Sequence, residues 1–327
     1  MLHIHNGDST AGTLKEFGFP GEHKPFKEVL MEGPTPGGLS PDEFLQTRAS
    51  FLAEAYDLGL DKAERDLREQ EIWLRESLEH DETILWFEHD LFCQVDLIYL
   101  LDWFSRQSIG PRKLSLICID EFVGVDDFRG LGQLSGEQLA SLFQDRHEVS
   151  ESELSLAAKA WAAYRSPNPE NVLRLIEGDT SAMPFLEHAL SLHLSRFPSR
   201  TNGLGRIERK ALNLISKGVI AFKSLFPKFA SDEPDYGLGD SQFWFVLQSL
   251  GNAKEPLIRV SGLDVNKTGI KSINYLDASL ELTEVGRAVL AGERDFVEVN
   301  GIDRWLGGVH LVGGRVWRWD RGTLTIQ

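Results

Sequence analysis

Three short apolar runs in the first 120 residues each end in polar, mostly acidic groups. Leu2-His3-Ile4-His5-Asn6 runs into Gly7-Asp8-Ser9, Ile84-Leu85-Trp86-Phe87 into Glu88-His89-Asp90, and Leu114-Ser115-Leu116-Ile117-Cys118-Ile119 into Asp120-Glu121. Separated by stretches with helical periodicity, such runs read as parallel strands of an open α/β sheet. Sheets of that kind take ligands at their carboxyl edge, so the three polar clusters predict one site there.

The segments between them supply the crossovers. Residues Ser9 to Phe17 carry a short helical pattern that Asp8 or Ser9 can cap. A second strand is expected at Glu28-Val29-Leu30-Met31, and Gly33-Pro34-Thr35-Pro36-Gly37-Gly38 then forces an irregular loop. Ser40-Pro41-Asp42-Glu43 reads as a capping box with proline at the first helical position. Helices are predicted over 41–57 and 61–79, a strand over 83–87, a helix over 91–107 and a strand over 114–119.

Beyond Phe122 the pattern turns helical, near 136–144, 151–165, 168–177 and 183–196. From Thr201 onward, helices at 206–216, 220–226 and 240–250 precede strand-like stretches near 257–260, 279–282, 295–299, 308–312 and 315–319. Three helices followed by strands predict a winged-helix-like unit. The expected organisation is an α/β domain over 1–125, a helical section over 126–200 and the winged-helix-like domain over 201–327.

Charge divides the chain in the same place. Residues 1–200 carry 18 Lys and Arg against 35 Asp and Glu, a net of −17, whereas residues 201–327 carry a net of +1. The first part repels phosphate backbones but accepts divalent cations. No apolar run is long enough to span a bilayer and no basic-then-apolar leader stands at Met1-Leu2-His3, so a cytoplasmic protein is expected. Cys93 and Cys118 fall in a predicted helix and a predicted strand, where free cysteine behaves as a small apolar residue.

Four stretches together carry a family resemblance: His5-Asn6-Gly7-Asp8-Ser9, Trp86-Phe87-Glu88-His89-Asp90-Leu91-Phe92-Cys93-Gln94, Gly130-Leu131-Gly132-Gln133-Leu134 and Asp303-Arg304-Trp305-Leu306-Gly307-Gly308. On them the chain resembles a bacterial family known only as domain of unknown function 1835. The resemblance covers nearly the full length and implies a Rossmann-like first domain; it implies no activity.

Several chemistries are open to the strand-end motifs. Gly7-Asp8-Ser9 resembles the nucleophile block of one lipase and esterase superfamily, but no Asp-x-x-His occurs to supply its base, so a histidine from elsewhere, such as His89, would have to serve. The same residues serve equally as a helix cap, or as a helix amino terminus whose amides receive a phosphate. His3 and His5 share one face of a strand. They read either as a metal pair or, more simply, as imidazoles packed under a helix. Glu88-His89-Asp90, with Gln94 one turn on, is the densest polar cluster. Gathered carboxylates need a cation or a shared proton, and oxygen donors suit Mg²⁺ or Mn²⁺.

These readings predict a phosphate-bearing small molecule at the carboxyl edge. Asp8, Glu88, Asp90 and Asp120 would hold a magnesium or manganese ion, with Asp8 also positioning water and His89 transferring protons. Gly7, Ser9, Thr10 and Gln94 would bind the ligand. The competing reading is a non-enzymatic regulator or adaptor that senses a ligand in its α/β domain and meets a protein partner through its C-terminal domain. Trp305, Trp317 and Trp319, interleaved with Arg304, Arg315, Arg318 and Arg321, offer a weak nucleic-acid or protein surface. Sequence-specific DNA binding is not expected, because the helix in the recognition position, Asp240 to Leu250, has no Lys or Arg.

Overall fold

In the computed structural model, residues 1–107, 112–265, 273–320 and 322–327 are described. The first apolar run forms strand β1 (Leu2–Asn6), and helix α1 (Asp8–Phe17) returns the chain to β2 (Glu22–Phe26), which pairs parallel to β1. The second strand thus lies six residues earlier than expected. Residues 28–31 are instead a loop, largely buried, in which the carbonyls of Val29, Leu30 and Met31 are taken by side chains from farther along the chain. Arg48 donates to Val29 O (2.9 Å), Tyr164 to Leu30 O (3.0 Å) and Arg196 to Met31 O (2.6 Å). A buried backbone must be paired by something, and here it is not a ladder.

Next comes a two-residue strand, β3 (Gly33–Pro34), then α2 (Pro41–Ala55), opened by the Ser40–Glu43 capping box, and α3 (Leu60–Glu76). The second and third apolar runs form β4 (Glu82–Glu88) and β5 (Lys113–Ile119), joined by α4 (Leu91–Ser105). β4 is buried from Thr83 to Glu88, as a central strand covered on both faces must be. α4 is apolar nearly all round and sits in the core beneath two later helices.

After β5 come α5 (Gly136–Leu142) and the short strand β6 (His147–Glu148), which adds antiparallel to β5. The sheet order is β2-β1-β4-β5-β6, parallel except at β6. The expected helical section therefore also supplies one edge of the sheet. It continues through α6 (Glu151–Tyr164), α7 (Glu170–Ile176) and α8 (Leu186–Leu194).

The last part holds α9 (Arg206–Ser216), α10 (Phe222–Asp232) and α11 (Asp240–Gly251), then β7 (Ile258–Ser261). Two-residue strands β8 (Asp264–Val265) and β9 (Ile273–Asn274) pair with each other, and β10 (Ser279–Leu282) pairs antiparallel with β7. Phe243 and Trp244 of α11 are buried against Phe222, Phe229 and Tyr275. Helix α12 (Glu284–Ala291) follows, and α13 (Phe296–Asn300) replaces the strand expected at 295–299. The reason is Asp295: its carboxylate accepts from the Val297 and Glu298 amides and so starts a helix.

Strands β11 (Ile302–Gly307) and β12 (Val309–Gly313) form a hairpin, and β11 also pairs parallel with β3 through Leu306 and Gly33. Gly33 has φ +71°, and a Cβ there would strike the Phe51 ring. A final hairpin joins β13 (Trp317–Asp320) to β14 (Thr323–Ile326). The strand alternation at 317–319 holds, but Arg318 is the buried member. It pairs with Asp295 (2.7 Å) and donates to Ser199 O, so it offers nothing to a nucleic acid. Arg321 lies outside the described residues. One buried apolar cluster runs through all three parts, from Leu2 to Val316, and no helix among the described residues is long and apolar enough to cross a membrane.

Candidate functional site

Because β1, β4 and β5 are parallel, their last residues meet at one edge of the sheet. Glu88 closes β4 and Asp90 caps α4, its carboxylate accepting from the Cys93 amide at 2.9 Å. This turn is tight enough to bring Glu88, Asp90 and Cys93 together, with one ligating atom of each within 4.8 Å of the others. All three are buried. Glu88 accepts from the Leu131 amide at 2.6 Å, from the Cys93 thiol at 2.6 Å and from the Asn6 side-chain amide at 3.0 Å.

Burial first, and the neighbouring Glu88 charge second, push the Asp90 carboxyl up to about 7. Burial and the two carboxylates push the Cys93 thiol well above its ordinary range. Cys93 is therefore a thiol donor at neutral pH and no nucleophile.

Glu88 and Asp90 form the floor of a cleft of about 320 Å³. One wall is the Arg129-Gly130-Gly132-Gln133 turn; the other comes from the end of α10 and the Pro234–Leu238 segment. Gly130 and Gly237 sit so close to Glu88 and Asp90 that a Cβ on Gly237 would drive into the Asp90 carboxylate. Asn6 lines the cleft, and its carbonyl oxygen is buried without a partner. The donors are thus two carboxylates and an amide oxygen, a set that fits a hard divalent cation.

The other sequence candidates scatter around this floor. Asp8 is exposed and pairs with Lys27 at 2.8 Å, and Asp120 is exposed beyond β5, so only two of the four expected ligands converge. A strand end fixes where a residue starts and leaves its side chain free to turn toward solvent. Gly7, with φ +92°, is the residue that precedes α1, and no side chain caps this helix. Neither Asp8 nor Ser9 is a cap, then; both belong to the helix itself, and the first-turn amides receive no side chain.

Ser9 is exposed and lies against Gly132 on the far side of the turn, while Thr10 is buried. Gln94 is buried and ties the edge together, donating to Glu88 O at 2.9 Å and to the Cys118 sulfur. His89 is not among the residues lining the cleft: its Nε2 lies 3.5 Å from Asp235, which also holds His188 at 2.8 Å. Among the described residues Ser9 has no histidine partner, so the hydrolase pattern lacks its base.

Cys93, Asn6 and Gly237 escaped sequence reasoning as site residues. Asn6 and Cys93 do stand in the motifs that carried the family resemblance, as do Gly130 and Gly132; Gly237 left no signal.

His3 and His5 join His23 in a separate buried cluster. Trp86 Nε1 donates to His3 Nδ1 at 3.1 Å, so the His3 proton sits on Nε2, facing Pro20 O at 3.1 Å. By the same logic His23 donates to Phe19 O and receives from His5 Nε2 at 2.9 Å. Burial holds His3 down to about 4 and His5 well below its ordinary value. The imidazoles are neutral and bonded locally, as the simpler reading expected.

Neither a protein-family model nor a curated protein matches this chain.

Proposed function

We propose that the carboxyl-edge cleft binds a phosphate-bearing small molecule together with a divalent cation, held by Glu88, Asp90 and the Asn6 carbonyl oxygen. The observation that carries this reading is the burial of two adjacent carboxylates beneath an open cleft. Like charges so placed require a cation or a shared proton. A cation on that floor offsets the charge that would otherwise repel a phosphate. The first turn of α1, which no side chain caps, follows the cleft residue Asn6, and Gly130 and Gly132 line the cleft itself. In this reading His89 stands off the floor, beside Asp235, and takes no part in holding the ligand.

The same reading takes residues 1–125 as a Rossmann-like domain and 201–327 as winged-helix-like, in a chain of the domain of unknown function 1835 group. The adaptor alternative is favoured by one observation: Asp8 and Asp120 do not join the acids, which removes two groups that would activate water.

Thermal denaturation with nucleotides and sugar phosphates, each with and without Mg²⁺, tests the proposal. A native-state ligand raises stability by mass action. The expected result is a rise that needs both cation and phosphate and is absent in Glu88→Gln. Turnover of the stabilising ligand favours the enzyme; binding without turnover favours the adaptor.

A further inference from the structure

A second and larger cleft, of about 700 Å³, opens between α2, α9, α11 and β11, well separated in sequence from the acids of the first. At its base lies Arg196, 7 % exposed. Its guanidinium donates to Met31 O at 2.6 Å and, among the described residues, forms no ion pair. A buried guanidinium without a carboxylate is costly, and it marks where an anion would be stabilised.

Among the described residues no neighbouring carboxylate comes within ion-pair distance of it. Arg304 and Glu208 pair with each other. Glu32, another buried acid of the cleft, is held by the Tyr56 hydroxyl; burial raises its pKa, while Arg196, Arg48 and Arg304 lower it. Around this base stand three half-buried rings, Phe51, Phe245 and Trp305, with Ile207. A cleft of this size that combines aromatic walls with polar groups, here including one unpaired guanidinium, is the usual form of a small-molecule site.

We propose that this cleft binds a small aromatic monocarboxylate, its carboxylate on Arg196 and its ring among Phe51, Phe245 and Trp305. Among the described lining residues Arg196 is the one arginine outside an ion pair, and exposed Glu54 and Asp303 disfavour multiply charged anions such as phosphates. The planar guanidinium suits a carboxylate through two parallel hydrogen bonds. The walls come from the first and last parts of the chain, so such a ligand would stabilise their junction.

The test is calorimetry and ligand-observed NMR with phenylacetate, its uncharged counterpart phenylacetamide, and inorganic phosphate. Phenylacetate should bind one to one, at least tenfold more tightly than phenylacetamide, and phosphate should not displace it. Arg196→Gln should remove that preference. Ser249→Trp, at an exposed position lining the cleft, should block both probes without touching the buried base. Glu88→Gln should change nothing here, which separates this proposal from the first. Equal binding of acid and amide, displacement by phosphate, or unaltered binding to folded Ser249→Trp would each overturn it.

Discussion

Two clusters of three titratable side chains flank β1, and they behave in opposite ways. His3, His5 and His23 are sealed under Trp86, with their ring protons directed to fixed acceptors. Glu88, Asp90 and Cys93 are as deeply buried, but Glu88 and Asp90 floor a cleft, and no basic side chain lies within ion-pair distance of these two carboxyl groups among the described residues. Density of ionisable groups therefore does not distinguish a site from a core. An opening and an uncompensated charge do.

The clusters should pull stability in opposite directions between about pH 4 and pH 7. Asp90 binds its proton more tightly folded than unfolded, so ionisation at rising pH favours the unfolded chain and stability falls as pH climbs toward 7. Its upper limit is about 4 kcal/mol. Asn caps a helix as well as Asp. Asp90→Asn is therefore expected to be more stable than wild type at pH 8 by up to that amount in cation-free buffer, measured by urea denaturation. An unchanged midpoint would equate the two clusters.

His3 works the other way. Its folded value near 4 lies below the ordinary 6.5, so the unfolded chain takes the proton first as pH drops. Stability from this group is complete above about pH 6.5 and is lost toward pH 4, by about 3 kcal/mol. In the Asp90→Asn background, where the opposing slope is gone, denaturation midpoints should decline through that window; a flat profile would contradict neutral burial.

Smaller effects sharpen the contrast. Cys93 should resist alkylation in folded protein at pH 8, with modification only as fast as unfolding, because its thiol is buried and protonated. Fast labelling without unfolding would show that the floor is open to reagents. Asp8→Ala should alter stability by less than about 0.5 kcal/mol, since a surface pair with Lys27 contributes little.

Much of the sheet was readable before the structure. β1, β4 and β5 announce themselves as apolar runs, and the Ser40–Glu43 box marks the first residue of its helix. β2 was missed because Glu22-His23-Lys24-Pro25-Phe26 is polar and holds a proline, which only an edge strand tolerates. Residues 28–31 look like a strand because they are buried, but Arg48, Tyr164 and Arg196, up to 165 residues away, satisfy their carbonyls. At the site, Glu88 and Asp90 were legible because strand end and helix cap are local features. Asp8 and Asp120 share the strand-end pattern without its geometry. The wall from Gly237 depends on long-range packing that no local pattern encodes.

The central claim, that Glu88 and Asp90 form a cation-binding floor, is tested most directly by titrating Mn²⁺ at pH 8 and following water-proton relaxation. One saturable site is expected on the wild type, weakened at least tenfold in Glu88→Gln and in Asp90→Asn and unchanged in Asp8→Ala. No saturable binding, or binding that survives Glu88→Gln, would contradict the account.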